Sequence, residues 1–310
     1  MKQAVYHGIR DVRVEDVPEP QPGPGQLKIE VQYCGICGSD LHEYLHGLFP
    51  VSPFGHETVG TVVGLGDGTS GFEIGDRVLA VHKDGFAEYA TAPAGSAFKI
   101  PDDISWKRAV VWEPMAGAAY AIDRGGVTSG DTVLITGAGP VGLLLMLGLK
   151  AVGVGQIFIT DLSGGRREKA LEMGATAVFD PSREKIPARM KALTGGQGVD
   201  VAIEAVGVEA SLKDCLASTR YGGKVIVQGI FTERVPIHML GFVTREMTMI
   251  GCNSIKPDLA MTWMQEKGLA PESIVTSVVP LDEIADRGFE ALCRDKEREI
   301  KILIRPGEND

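Results

Sequence analysis

Thr132-Val133-Leu134-Ile135-Thr136-Gly137-Ala138-Gly139-Pro140-Val141-Gly142 passes from an apolar, β-branched run through a glycine turn into a long apolar segment that ends at Lys150. A strand that enters such a turn and leaves as a helix offers unpaired N–H groups and a positive dipole end to a pyrophosphate. Gly137 permits the tight turn and Gly139 the close approach of phosphate. Gly142 lets helix pack on strand, with Pro140 and Val141 opening the helix. Downstream, apolar runs at 156–160, 200–205, 224–228 and 247–251 alternate with helix-like segments such as Arg166 to Met173 and Ser211 to Ser218. That rhythm predicts a doubly wound parallel sheet with right-handed crossovers over residues 122–255. The second strand ends at Asp161, near the offset where an acid meets the ribose 2′-OH, so NAD is the expected cofactor. Arg166 and Arg167 follow closely and leave NADP open, since arginine accepts a 2′-phosphate.

Working back toward the N-terminus, the pattern changes to short strands punctuated by Gly and Pro. Lys28 to Tyr33 and Glu88 to Ala92 alternate with period two, and Pro18, Pro20, Pro22 and Pro24 precede the first of them. A compact, mostly antiparallel barrel is expected over residues 1–121. Beyond the parallel sheet, strands near Ile274 to Val279 and Ile300 to Ile304 have no following crossover unit. Residues 256–310 are therefore expected to rejoin the barrel domain.

Within the barrel half, Cys37-Gly38-Ser39-Asp40-Leu41-His42-Glu43-Tyr44 is followed by Gly55-His56-Glu57. A thiolate, an imidazole and a carboxylate in a glycine-rich region are the ligand types that Zn²⁺ prefers, and a catalytic site needs three of them plus an open position. Cys37 and His56 are expected ligands, with Glu57 or Glu113 as the third. Glu113 is the favoured resting ligand, because adjacent side chains in extended backbone point to opposite faces and separate Glu57 from His56 unless the chain bends. Gly55 permits such a bend. Ser39 and His42 flank the site as candidates for carrying the alcohol proton outward, and Glu57 is a further candidate for a part in the chemistry. Taken singly, each residue has a plainer explanation: a buried thiol, a turn histidine, solvated acids. Zinc beside a nicotinamide cofactor means hydride transfer to or from an alcohol.

The net charge of −10, with no basic run, argues against nucleic acid as a partner. The first seventeen residues lack the apolar core of a signal peptide, and the segment from Pro140 to Leu149 is too short to span a bilayer. The five cysteines, at 34, 37, 215, 252 and 293, are odd in number and scattered. A reducing, cytoplasmic setting without a membrane is expected. Cys34 and Cys37 have the spacing of a redox pair or of half a structural zinc site, but no second pair lies near them.

The motifs Cys-Gly-Ile-Cys-Gly-Ser-Asp-Leu-His-Glu-Tyr-Leu (34–45), Gly-His-Glu (55–57), Gly-Asp-Arg-Val (75–78), Gly-Phe-Ala-Glu-Tyr (85–89), Glu-Pro (113–114) and Gly-Ala-Gly-Pro-Val-Gly (137–142) resemble the zinc-dependent medium-chain dehydrogenases. The similarity runs nearly the whole length and is strongest to the butanediol, sorbitol and threonine dehydrogenases. It implies a GroES-like catalytic domain (1–121 and 256–310) and a Rossmann domain (122–255). It also implies zinc on Cys37, His56 and a glutamate, with Ser39 and His42 in the proton relay. One departure stands out. Relatives carry a four-cysteine, zinc-binding lobe between the Gly-Asp-Arg-Val and Gly-Phe-Ala-Glu-Tyr strands, where this chain has only Leu79 to Asp84. One catalytic zinc per chain and no structural zinc are therefore expected. The expected substrate is a small secondary alcohol, vicinal diol or polyol, and the expected protein partner is the same chain, as a homodimer or homotetramer. The rivals are a zinc-free, NADPH-dependent quinone or enone reductase on the same fold, and a non-catalytic dinucleotide-binding regulatory protein.

Overall fold

The computed structural model describes residues 1–49 and 54–307. The chain divides into two compact units, one comprising Met1–Glu113 with Glu272–Asp310 and the other Pro114–Pro271.

The first unit is built on β3 (Gln26–Gly35), reached through the antiparallel pair β1 (Lys2–Gly8) and β2 (Asp11–Asp16). Leu27, Ile29 and Val31 alternate along β3 and are buried, as its period-two pattern requires. After α1 (Gly38–His46) come β4 (Glu57–Leu65), β5 (Arg77–Ala80), β6 (Tyr89–Pro93) and β7 (Ala97–Lys99). Strand β3 pairs antiparallel with both β4 and β6, β4 with β5, and β5 with β7. Leu27, Ile29, Val62, Val78 and Ala92 fill this barrel. The helices α2 (Trp106–Val110) and α3 (Trp112–Gly125) follow, and the division between the units falls inside α3.

The second unit is a six-stranded, wholly parallel sheet. Its elements are β8 (Thr132–Thr136), α4 (Pro140–Val152), β9 (Gln156–Thr160), α5 (Gly164–Glu172), β10 (Ala177–Phe179) and α6 (Ile186–Leu193). They continue with β11 (Val199–Glu204), α7 (Glu209–Ser218), β12 (Thr219–Val227), α8 (Met239–Thr244), β13 (Thr248–Gly251) and α9 (Pro257–Glu266). The order β10-β9-β8-β11-β12-β13 places the reversal of strand order between β8 and β11. Helix α4 is apolar all round and buried from Gly142 to Leu149, because it is sandwiched between the sheet and other helices. Gly148 is its contact point: a Cβ there would come within 2.8 Å of the Trp263 ring of α9.

The last segment belongs to the first unit through β14 (Val275–Pro280), α10 (Ala291–Arg294) and β15 (Lys301–Arg305), with β15 antiparallel to β3 and parallel to β14. The units part at 113/114 and 271/272, whereas the sequence rhythm suggested 121/122 and 255/256. The physical reason is that α3 and α9 carry contacts of the second unit. Lys256 donates its N–H to the Ala116 carbonyl at 2.9 Å and pairs with Asp123 at 2.7 Å. Among the described residues no helix is long and apolar enough to cross a membrane.

Candidate functional site

Helix α1 begins at Cys37, whose extended backbone makes it the N-cap. The Asp40 carboxylate turns back and accepts the Cys37 N–H at 2.8 Å, satisfying one of the orphan donors of the first turn. Asp40 is fully buried, and its other oxygen accepts the Gly55 N–H at 3.1 Å and lies 3.7 Å from Nδ1 of His56. One carboxylate therefore ties the Cys37 turn to the Gly55-His56 turn and faces the imidazole. Gly55 has φ +76°, and a Cβ there would lie 2.8 Å from the backbone nitrogens of Gly85 and Phe86. This is the bend needed for neighbouring residues 56 and 57 to converge.

They do converge. The ligand atoms of Cys37, His56 and Glu57 lie within 4.8 Å of one another, close enough for a single ion to reach all three. The donors are one soft sulfur, one imidazole nitrogen and one carboxylate oxygen, a set suited to zinc. Glu57 is fully buried, and its Oε1 has no hydrogen-bond partner. A buried, unmatched carboxylate oxygen beside a thiol and an imidazole suits a cation. Burial alone would lower the His56 pKa, but the charges of Cys37 and Asp40 outweigh it and hold the ring well above the ordinary histidine value.

Glu113, in the first turn of α3, lies outside this group of three although it was the favoured resting ligand. It is 9% exposed, and burial followed by repulsion from Glu57 pushes its pKa up to about 7. The sign of its effect on stability follows. The folded chain holds a proton that the unfolded chain has lost, so the metal-free fold weakens as pH rises from 4.5 to about 7. His56, raised above 6.5, acts in the same direction: its contribution is complete below that value and fades as pH climbs through the folded pKa. Chelator-treated protein should thus melt at falling temperature as pH rises from 4.5 to about 7, the window of Glu113. Glu113→Gln should flatten the lower part of that slope, and added zinc should flatten more of it. A slope unchanged in Glu113→Gln would deny the carboxyl this environment.

Two residues of this site were absent from the sequence-based expectations. Asp40 is one. The other is Lys301, buried in β15, which is ion-paired with Glu57 and donates to the Ile36 carbonyl at 2.8 Å. Burial opposes its charge, but Glu57 and the charges around it keep the pKa above the usual lysine value. A lone lysine within Ile300-Lys301-Ile302-Leu303-Ile304 was the available signal.

Ser39 and His42 stand at i and i+3 on α1, on one helix face. Burial, then the proximity of His46, lowers the His42 pKa and keeps the imidazole neutral, as a proton acceptor needs to be. Its Nδ1 is buried without a partner. Cys34 sits in the barrel wall, receives the Thr58 hydroxyl at 3.5 Å and is pushed up by burial, so it packs as a thiol. Tyr44 stacks on Phe289 with ring centres 4.8 Å apart, and Trp112 packs edgewise on Phe98, so both aromatics fill the core of the first unit.

In the second unit, Gly137 takes φ +96°, and its N–H meets the Thr160 carbonyl at 2.7 Å. Gly139 is the N-cap of α4, with Pro140 in its first turn and Val141 following. A Cβ on Gly142 would strike the Gly137 carbonyl, which accounts for the third glycine. Asp161, just beyond β9, accepts the Ala138 N–H on one oxygen and the Ser163 N–H on the other, each at 2.8 Å. Its carboxylate is thereby held against the glycine turn. Arg166 reaches the turn as well, since a Cβ on Gly139 would lie 3.6 Å from its Nη1. Arg167 is turned away, donating to the carbonyls of Asp161 and Leu162 and lying 3.5 Å from Asp180.

Known proteins resemble this chain in both units. Residues 23–102 match the model of the alcohol dehydrogenase GroES-like domain, and residues 140–266 that of the zinc-binding dehydrogenase. The chain is 36% identical to (R,R)-butanediol dehydrogenase of Bacillus subtilis (strain 168), covering 99% of this chain and all of that one. It is 32% identical to sorbitol dehydrogenase of Bos taurus, over 99% and 96% of the two chains. The crystal structure of 2R,3R-butanediol dehydrogenase from Bacillus subtilis superposes with a TM-score of 0.91 at 33% identity, covering 99% of each chain. The alignment with the butanediol dehydrogenase runs to 349 positions against 310 residues here, so that relative carries segments this chain lacks. On the family matches and these full-length similarities, the chain belongs to the zinc-type medium-chain alcohol dehydrogenase family.

Proposed function

We propose that this enzyme oxidises a small secondary alcohol, vicinal diol or polyol to the ketone with NAD, and runs the reverse reduction. The observation that carries the proposal is the convergence of Cys37, His56 and Glu57 around a buried, unmatched carboxylate oxygen. Neither a zinc-free reductase nor a non-catalytic binding protein needs that set. Butanediol and sorbitol dehydrogenases as relatives favour a substrate with neighbouring hydroxyls.

Cys37, His56 and Glu57 would hold one zinc ion, with Asp40 orienting His56 and Lys301 restraining Glu57. When bound, zinc supplies a Lewis acid beside the alcohol oxygen and NAD supplies the hydride acceptor. The chain's own groups manage the proton: Ser39 takes it from the alcohol, and neutral His42, on the same helix face, passes it to water. The N–H groups of the glycine turn hold the pyrophosphate and Arg166 adds positive charge there. Asp161 receives the ribose hydroxyls and repels a 2′-phosphate, so NAD is favoured over NADP. The short connection between β5 and β6 supports a single zinc per chain.

We also read the chain as a cytoplasmic homodimer or homotetramer. Five unpaired cysteines suit a reducing compartment. The edge strand β13 and α8 expose Met249, Met239, Leu240 and Val243, as a surface covered by another copy would.

An NAD⁺-reduction screen over vicinal diols, sugar alcohols and hydroxy-amino acids, with zinc measured on the same sample, tests the proposal. Turnover of a diol or polyol at about one zinc per chain is expected. Activity that survives complete zinc removal would overturn it. Asp161→Ser should raise the NADP-to-NAD preference about tenfold or more, because it removes the repelling charge. A wild-type preference for NADP would show that Arg166 governs the choice.

A further inference from the structure

Helix α1 carries a second pairing of metal-binding side chains, beyond the three-ligand centre. His42-Glu43-Tyr44-Leu45-His46 spells His-Glu-X-X-His, and the helix holds this spacing intact to its last residue. Residues four apart on a helix share one face, so the two imidazoles can meet on a single ion. The rings do stand together, with centres 6.0 Å apart and planes inclined by 36°. An ion bound at ~2.0–2.1 Å to one nitrogen of each ring spans that gap. The glutamate of the pattern adds no hydrolytic chemistry, because Glu43 is buried and accepts the Phe49 N–H at 2.8 Å. What remains is a two-imidazole chelate.

Three features suit the pair to a cation. The last turn of α1 is fixed: the Glu43 carbonyl accepts the Gly47 N–H at 2.8 Å and the Tyr6 hydroxyl at 2.9 Å, and the Tyr44 carbonyl accepts the Arg10 N–H at 2.8 Å. Donors held by a rigid frame lose less freedom on binding. His46 lies at the carboxyl end of the helix, where the dipole favours positive charge. His42 is kept neutral by burial and then by His46, and the neutral ring is the form that binds a metal. The pair is also separate from the Cys37 centre. At ~1.5 Å per residue its midpoint lies about 10 Å along the helix axis from Cys37. Among the described residues, the group of Cys37, His56 and Glu57 includes neither histidine. His46 is exposed and His42 half-buried, so the pair is open to solvent on the His46 side.

We propose that His42 and His46 form a second site, for a divalent transition-metal ion such as Zn²⁺ or Ni²⁺, and that its occupancy halts proton transfer through His42. Imidazole donors suit both ions. A neutral imidazole has one N–H and one nitrogen lone pair. An ion on that lone pair leaves the ring with a proton to give and no place to receive one, so the alcohol proton has no acceptor there. With two protein donors instead of three, the site fills only from added metal, and the zinc expected in isolated protein is that of the Cys37 centre. The halt rests on the relay reading of His42; the binding does not.

The test adds Ni²⁺ to the zinc-loaded protein, unaltered and as His46→Gln, and follows both metals by equilibrium dialysis with elemental analysis, alongside diol turnover. The unaltered protein should take up one nickel ion per chain without releasing zinc, and lose at least about tenfold in turnover along the same titration. His46→Gln should keep the unaltered rate in the absence of nickel. It should bind nickel at least about tenfold more weakly and resist inhibition, because a chelate loses most of its strength with one arm. Equal nickel uptake by the two proteins overturns the site. Nickel that enters only as zinc leaves belongs to the Cys37 centre and overturns it too. Uptake lost in His46→Gln, with turnover of the unaltered enzyme untouched by bound nickel, overturns the halt and the relay place of His42 while the binding stands. An absence of diol turnover in the nickel-free protein would overturn the dehydrogenase reading, and the dialysis would still decide the site.

Discussion

Lys301→Met is expected to weaken the metal-free fold by about 3–5 kcal/mol, because it leaves the buried carboxylate of Glu57 without its cation. The size follows from the setting. Glu57 and Lys301 are each about 1% exposed in their side chains, so water replaces nothing that is lost. The Ile36 carbonyl loses its donor in the same step. The double variant Lys301→Met with Glu57→Gln removes both charges and should regain much of the loss, as buried pairs replaced together usually do. Zinc should change the outcome. If Glu57 binds the ion, the metal supplies the missing positive charge, and Lys301→Met should be far less damaging in the loaded enzyme than after chelation. Denaturant midpoints with and without zinc give the answer. An equal loss in both states would mean that Glu57 faces Lys301 alone and never the metal.

The fold was legible wherever a segment carried its own period. Thr132–Thr136 and Gln156–Thr160 are strands as their apolar runs required, and the glycine turn between β8 and α4 has the positive φ at Gly137 that its motif demanded. Ala177–Phe179 was not legible, because three residues show no period and their place is fixed only by pairing with β9. Gly71 to Val78 carries no period of its own, and only its last two residues enter β5 (Arg77–Ala80). Asp76 instead accepts the Glu73 N–H at 2.7 Å and holds the preceding residues as a turn. At the site, Cys37 and His56 were visible because metal-ligand chemistry is written in residue type. Asp40 reads in the sequence as an ordinary helix-start acid, and Lys301 meets Glu57 only because β15 pairs with β3, and β3 with β4. Extended backbone at residues 56 and 57 favours Glu113, whereas the turn at Gly55 brings Glu57 within reach of the same point as His56.

The identity of the third zinc ligand carries the other large expected effect. Cys37→Ala and His56→Ala should each leave purified protein nearly free of zinc and cut turnover by at least about a hundredfold, since each deletes one of three protein donors. Between the glutamates, Glu57→Gln should lower zinc affinity more than Glu113→Gln. Glu57 already lies within 4.8 Å of the sulfur and the imidazole, and its Oε1 has no other partner to give up. Glu113 is a buried acid whose pKa of about 7 leaves much of it protonated at neutral pH, and a protonated carboxyl is a poor ligand. An arriving cation would lower that pKa, so Glu113 becomes a better donor once the metal is seated, either directly or through water. Its replacement should then slow turnover while leaving most of the zinc in place. Elemental analysis and competition with a chelator of known affinity separate the two cases. If Glu113→Gln loses zinc as completely as Cys37→Ala while Glu57→Gln keeps it, the ligand set is Cys37, His56 and Glu113, and the ion pair with Lys301 is the whole role of Glu57.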